Sequence, residues 1–417
     1  MDMKTYCKPA QVNIEDLEFI KTPVHLCFAG KLRKRPFQRL LISTGKITRE
    51  QLLDDLEKQD MNRIIPAIDA VAEMMHGRIM ARDLQLSPVR QFQRVDGTNG
   101  KLRDLCQEGP EQQICEYIAK YALDPLFRAK ILPFQHGSIP GRGQNGALRH
   151  NRKVMRKMQD LPASVQCDIR KAYPSTTVKT VMKLLSRDVG KNKPLLWFVE
   201  AIMENYPHGV LLIGGYLSCW IFNYVMSYVL RHLLGQAKAR RGKRLPMVRT
   251  VTNYADDFVC FGHLSNLVRA LKVTVRWAKK ELGLQIKDAW MVNHLASKDE
   301  EEQNRKARLN GSHRRTPGVD MVGYVVRRTY TIVRGRSFVR YRRQFIRAND
   351  NLNKLGYIPW WRAQKIIAEW GWIKNADSRK FCRKYNAYAI VRAAKLSVSW
   401  HARRLNYGKL YPQTFAC

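Results

Sequence analysis

Acidic side chains are scarce in this sequence. Its 417 residues carry 35 Asp and Glu against 74 Lys and Arg, a formal net charge of +39. The cations run along the whole chain rather than sitting in a tail. A folded chain this basic repels itself unless a polyanion neutralises it. Nucleic acid is therefore the expected partner, bound through salt-sensitive phosphate contacts; the plain alternative is a set of basic solvated faces. Nine cysteines include no CxxC pair and no Cys/His ligand spacing, which speaks against zinc. Odd in number and scattered among apolar neighbours, they fit reduced, buried thiols and a cytoplasmic setting. The opening MDMKTYCKPAQVNIEDLEF has no apolar run before a cleavage site, so no secretory leader is expected. Repeats and low-complexity linkers are missing too.

Only one run is long and uncharged enough to suggest a membrane span, VLLIGGYLSCWIFNYVMSYVL from Val210 to Leu230. Gly214-Gly215 breaks it, and Ser218, Asn223 and Ser227 dilute it. A strand, a glycine turn and a buried helix account for it better, and no membrane partner is expected.

With 45% hydrophobic residues the chain can bury a sizeable core, and its length suits two or three domains or subdomains. Residues 1 to about 85 combine a basic patch (Lys31, Arg33, Lys34, Arg35) with a helical stretch around Gln51 to Met75. RQFQRVDGTNGKLRDL then reads as a hairpin turning at Asn99-Gly100, with Arg94, Lys101 and Arg103 near the turn. Glu111 to Ala122 is helical. The glycine-rich PFQHGSIPGRGQNGALRHNRK leads into a helix near Asn145. Its backbone N–H groups and Arg142 suit a phosphate, and an ordinary surface loop is the equal alternative. SVQCDI reads as a buried strand, Leu264 to Leu282 as an amphipathic helix, and Asp320–Val326 with Tyr330–Val333 as a hairpin. From Arg340 on, the chain reads as helical, basic and rich in Trp and Tyr.

The few acids matter most where they adjoin. VTNYADDFVCFG (251–262) places Asp256 and Asp257 between runs that want burial, at the tip of a predicted hairpin. Two solvated turn aspartates would be the mild reading. The flanking Tyr254, Phe258, Val259 and Phe261 argue against it. A third carboxylate, Asp168, ends the strand of CDIRKAYPST. If the two segments share a sheet, Asp168 and Asp256 converge. Carboxylates so close repel unless divalent cations sit between them. Mg²⁺ suits such hard oxygen ligands, and paired ions about 4 Å apart serve nucleotidyl transfer.

At these residues the sequence resembles the reverse transcriptases. NYADDFV is similar to their Y-x-D-D motif, CDIRKAY to the preceding palm motif, and LLIGGYLSCWIFN to the glycine-turn-helix motif against the incoming nucleotide. LGLQIKD, DMVGYVV and GSIPGRG are similar to the later lysine motif, the primer grip and a finger motif. The resemblance spans about residues 94–330. It implies an α+β right-hand polymerase with an N-terminal extension partly in the fingers (1–85), fingers (86–160), an antiparallel-sheet palm (161–330) and a basic helical thumb (331–417).

The same resemblance implies catalysis by Asp168, Asp256 and Asp257, which hold Mg²⁺ (or Mn²⁺) together with Ile169. Tyr173 lies under the sugar and excludes a 2′-hydroxyl. Lys101 and Arg103 hold the triphosphate, Gly214 and Ser218 line the nucleotide site, and Lys287 stands near the departing phosphates. Arg142, Tyr254, Gly323, Tyr324, Arg340 and Arg343 are implied nucleic-acid contacts. Arg342 and Arg347 are expected on the same helix face as Arg340 and Arg343. Trp360, Trp361, Trp370, Trp372 and Trp400 either stack on bases or form the core of a helical bundle.

Ile213 stands where many members have Gln, and Ser218-Cys219 only half matches the Ser-Gln pair of diversity-generating retroelement enzymes. WGWIKNAD is similar to a thumb segment of domesticated bacterial enzymes, and no endonuclease zinc motif follows. The expected activity is RNA-directed DNA synthesis on a dedicated noncoding RNA in antiphage defence, giving a cDNA product, with an accessory protein or self-assembly as further partners. The alternatives are error-prone cDNA synthesis in a diversity-generating retroelement, an RNA-dependent RNA polymerase, disfavoured by Ala255 and Tyr173, and an idle RNA-binding scaffold.

Overall fold

The computed structural model describes residues 5–95, 100, 102–312 and 316–410, with side chains to residue 402. It is a mixed α+β protein whose sheets are small and mostly antiparallel hairpins. Two compact units divide it, Met1–Gly143 with Val165–Met291, and Gln144–Ser164 with Val292–Cys417.

The first unit opens with four helices, Leu17–Phe28, Arg35–Ser43, Arg49–Lys58 and Ile64–Met80. Local chemistry sets their starts. Asp16 accepts from Glu18 N–H, and Thr48 and Gln51 form a reciprocal capping box. The helical stretch around residues 51–75 consists of two of these helices, separated where Gln59 turns left-handed at φ 59°. Strands Arg90–Val95 and Leu102–Gln107 pair antiparallel as expected, with Arg94 opposite Arg103. Lys101 and most of the turn lie outside the described residues.

Helix Tyr216–Leu234 forms the centre of this unit. Thirteen of its residues are buried, so it is apolar nearly all round, as a core helix must be. Among the described residues no helix is long and apolar enough to cross a membrane. The segment before it forms no strand; Val210 makes only an isolated bridge to Thr177. The helix start is fastened from below. Glu116, fully buried, accepts from Leu217 N–H at 2.8 Å and from the Tyr206 hydroxyl at 2.6 Å. Burial, reinforced by the Glu116 charge, pushes the neighbouring Glu108 carboxyl well above the ordinary carboxylate range.

Strands Thr250–Tyr254, Asp257–Gly262 and Ala163–Asp168 lie side by side in that order. Helix Leu264–Leu282 follows with the predicted bounds and ends on Gly283 at φ 70°.

The second unit holds helices Gly143–Lys157 and Lys298–Leu309, a three-stranded antiparallel sheet, and the helices Gly335–Leu355, Trp360–Lys374, Arg379–Lys384 and Ala387–Leu410. Two of its interior charges, Arg328 and Glu301, are satisfied within the fold. The buried Arg328 guanidinium donates to the carbonyls of Leu161 (2.7 Å) and Ala296 (2.6 Å), and buried Glu301 accepts from Arg328 and Thr329 N–H. The run DMVGYVV is not one strand. Met321 pairs with Tyr324, so Val322 and Gly323 form a two-residue turn with both φ positive (46° and 80°). Strand Thr331–Val333 then pairs with Tyr324–Val326.

Candidate active site

In the double-Asp hairpin Tyr254 pairs with Asp257, which leaves Ala255 and Asp256 as the turn. Ala255 takes φ 53°, a left-handed conformation uncommon for a residue with a side chain. Its surroundings hold it there. A Cβ on Gly137 would meet the Ala255 backbone N and come within 2.9 Å of its Cα, so the glycine-rich loop passes directly against the turn. Asn253, fully buried, donates from Nδ2 to the carbonyls of Ala255 (2.7 Å) and Asp257 (3.0 Å). Its own backbone joins the loop through Asn253 N–H to Phe134 O and His136 N–H to Asn253 O, each 2.9 Å.

Gly137 and Asn253 were not assigned a role from sequence. The available signal was a buried-strand asparagine beside two aspartates, a polar group that must find partners.

Asp168 reaches this turn from the adjacent strand, where Ile169 N–H donates to Asp256 O at 3.2 Å. On its other side Lys287 N–H donates to Asp168 O at 2.9 Å, and Arg170 N–H to Gln285 O at 2.7 Å. Lys287 Nζ then sits 2.5 Å from Asp168 Oδ2. The other oxygen, Oδ1, is buried and has no hydrogen-bond partner. Asp256 is half-buried, and desolvation raises its pKa above the ordinary carboxylate value. The Asp168 charge adds to the rise, while Lys287 and Arg103 pull the other way.

The structure therefore brings Asp168, Asp256, Lys287 and Arg103 into one electrostatic cluster. Among the described residues no three His, Cys, Asp or Glu side chains gather closely enough to hold a metal ion. Three converging carboxylates were expected; here the Asp168 carboxylate is engaged by Lys287. Ile169 is buried at 1% exposure, so only its backbone could serve as a ligand.

Beside the pair, Lys171 turns left-handed at φ 47° and starts the short helix Ala172–Ser175. This sets the Tyr173 ring on Phe222, 5.1 Å between centroids and 25° between planes. Burial raises the Tyr173 phenol pKa above its usual value, and Asp256 and Tyr254 are among the charges that act on it. Burial raises that of Tyr254 as well. Gly214 adopts φ 106°, and Cys106 N–H donates to Ile213 O at 3.1 Å, so the strand that carries Arg103 docks on the glycine turn.

Two of the expected contacts, Ser218 for the nucleotide and Arg142 for nucleic acid, make hydrogen bonds within the fold. Ser218 is fully buried and accepts from Leu212 N–H at 3.0 Å, holding the turn. The Arg142 guanidinium donates to Leu132 O (2.7 Å) and Gln135 O (3.0 Å), fastening the glycine-rich loop on itself.

In the second unit, Tyr324 is 2% exposed and donates its hydroxyl to Trp372 O at 3.3 Å. A Cβ on Gly323 would run into the Trp372 ring. Both residues serve packing there. Arg340 and Arg343 are exposed on helix Gly335–Leu355, with Arg347 on the same stripe. Arg342 does not share that stripe and donates to the Tyr385 hydroxyl at 2.7 Å. Trp360, Trp361 and Trp400 are 40%, 48% and 62% exposed, so they are not core, while Trp370 and Trp372 are half-buried.

Compared with protein-family models and with curated proteins, the sequence matches none.

Proposed function

We propose that this chain is an RNA-directed DNA polymerase that extends a primer with dNTPs. The observation that carries the reading is the facing pair Asp168 and Asp256, within electrostatic reach of Lys287 and Arg103 in a chain of net charge +39. Neighbouring carboxylates repel one another in a partly desolvated site. A site that keeps them together is therefore built for positive charge. The orphaned Asp168 Oδ1 and the raised proton affinity of Asp256 fit a hard divalent cation. Asp168 and Asp256, with Asp257 and the Ile169 backbone beside them, would hold Mg²⁺. When bound, it would acidify a primer hydroxyl and neutralise phosphate charge.

The protein's own groups supply the rest. The primer 3′-hydroxyl loses its proton to solvent as its oxygen bonds to the α-phosphorus, and the bond to the leaving pyrophosphate breaks. Lys287 neutralises Asp168 in the resting site. Once other positive charge takes over that task, its ammonium is available to the leaving phosphates, beside a pocket lined by Arg170 and Lys279. Arg103 supplies positive charge from the hairpin side. Tyr173, locked by its stack on Phe222, blocks space at the sugar and selects against a 2′-hydroxyl. A dedicated noncoding RNA template and a role in antiphage defence rest on the resemblance to domesticated bacterial reverse transcriptases.

The test is nucleotide choice on an RNA template with an annealed primer. The wild type should incorporate dNTPs well ahead of NTPs, and Tyr173→Ala should narrow that preference about tenfold or more, a loss of at least ~1.4 kcal/mol of discrimination. Extension that prefers NTPs in the wild type would refute the reading.

A further inference from the structure

Seven Lys and Arg and no acid lie between residues 29 and 49. Two of these cations are used within the fold. Lys31 sits over the rings of Phe37 (5.1 Å) and Tyr117 (4.4 Å), and Arg33 donates to Leu56 O at 3.2 Å. Three others, Arg35, Arg39 and Arg49, line one cavity of about 460 Å³ whose apolar wall is Ile42, Leu52 and Leu53. All three are exposed, and none has an ion pair or hydrogen bond among the described residues.

The arrangement works against the fold's own stability. Arg35 and Arg39 are one turn apart on helix Arg35–Ser43, a like-charge pair that destabilises a helix, and its first turn has no acid to offset it. Arg49 opens helix Arg49–Lys58, whose N-terminal dipole adds to the positive potential. Leu53 is 48% exposed beside these charges. Planar donors next to an apolar shelf match a phosphate joined to a flat base.

We propose that this cavity binds single-stranded RNA, with the arginines on a phosphate and the adjoining base on Ile42 and Leu53. It shares no lining residue with the Asp168–Asp256 cluster, so it is a second contact that holds RNA away from the reaction. The choice of RNA over other phosphate polymers rests on the polymerase reading.

The experiment measures binding of a labelled twelve-nucleotide uridylate to the full chain by fluorescence anisotropy across a salt series. Arg35→Glu/Arg39→Glu/Arg49→Glu is compared with Arg269→Glu/Lys272→Glu/Arg276→Glu, an equal charge change on exposed positions of helix Leu264–Leu282. The cavity variant should lose at least about tenfold in affinity, and its plot of log affinity against log salt should flatten by about 2. The control should lose less than about threefold. Circular dichroism checks folding, and the milder Arg39→Gln should lose about threefold if the triple change unfolds the helices.

Equal losses in the two triple variants would overturn the proposal. So would wild-type binding to anionic lipid vesicles with none to RNA. An abasic strand bound as tightly as uridylate would overturn the base contact. Extension of a short pre-annealed primer should be unchanged in the cavity variant. Absence of extension in the wild type would count against the polymerase reading while leaving the binding comparison intact.

Discussion

Two hairpins of this protein use the same backbone device for opposite ends. Ala255-Asp256 and Val322-Gly323 are both two-residue turns, and each puts a non-glycine residue at positive φ. Each is braced by a close approach, Gly137 against Ala255 and the Trp372 ring against Gly323. Around the second turn Asp320 and the Tyr324 hydroxyl are paired. Tyr324 donates to Trp372 O, and Arg334 pairs with Asp320 at 2.6 Å. Around the first, a buried carboxylate oxygen lacks a partner and a half-buried aspartate carries raised proton affinity. Strain alone does not mark a site. Strain together with unsatisfied charge does.

The sharpest way to break the comparison is Asp256→Asn. Synthesis should fall at least about a hundredfold, yet the protein should melt higher at pH 7. The sign follows from the raised pKa: the folded state prefers the protonated carboxyl, so its favourable contribution is present at low pH and lost as pH rises through the folded value. The gain in melting temperature should therefore shrink as pH falls toward the ordinary carboxylate range. Calorimetry of both proteins from pH 4 to 7 checks it, and a lower melting point at pH 7 would contradict the charge assignment.

A matched pair of glycine substitutions comes next. Gly137→Ala and Gly323→Ala each force a methyl into occupied space and should each destabilise by about 1–3 kcal/mol in urea unfolding. Only Gly137→Ala should also cut synthesis, about tenfold or more, because it moves the Ala255 backbone. Equal activity in the two variants would remove the distinction between the hairpins.

The smallest effect concerns Glu369. Burial pushes its carboxyl up to about 7, with Arg340 and Lys365 opposing the shift, and Oε2 has no hydrogen-bond partner. Its stabilising contribution is full below the ordinary pKa of 4.5 and lost as pH rises through about 7. Glu369→Gln should therefore gain about 1–3 kcal/mol over the wild type at pH 8 and little at pH 4.

Much of the fold was legible in the sequence because period and punctuation agree there. Helix 264–282 has a regular apolar stripe and a glycine stop, and the double-Asp hairpin has apolar strands around an acidic tip. The turn at Val322-Gly323 was hidden because the run around it is almost uniformly apolar, so period gave no break. Sequence neighbours suggest a nucleotide contact for Ser218 and a nucleic-acid contact for Arg142, while their partners in the fold, Leu212 N–H and the Leu132 and Gln135 carbonyls, depend on how the chain folds back. Asn253 and Gly137 matter through an encounter of segments more than a hundred residues apart, which no local pattern encodes. The exposed Trp360 and Trp361 follow from where their helix is covered rather than from its composition.

The central claim is that Asp168 and Asp256 form one reaction centre for nucleotide addition. The most direct measurement is extension of a primer on an RNA template with Mg²⁺ and labelled dNTPs, by the wild type and by Asp168→Asn matched for folding and RNA binding. The account predicts template-length DNA from the wild type and none from the variant. Equal synthesis by a correctly folded Asp168→Asn protein would contradict it.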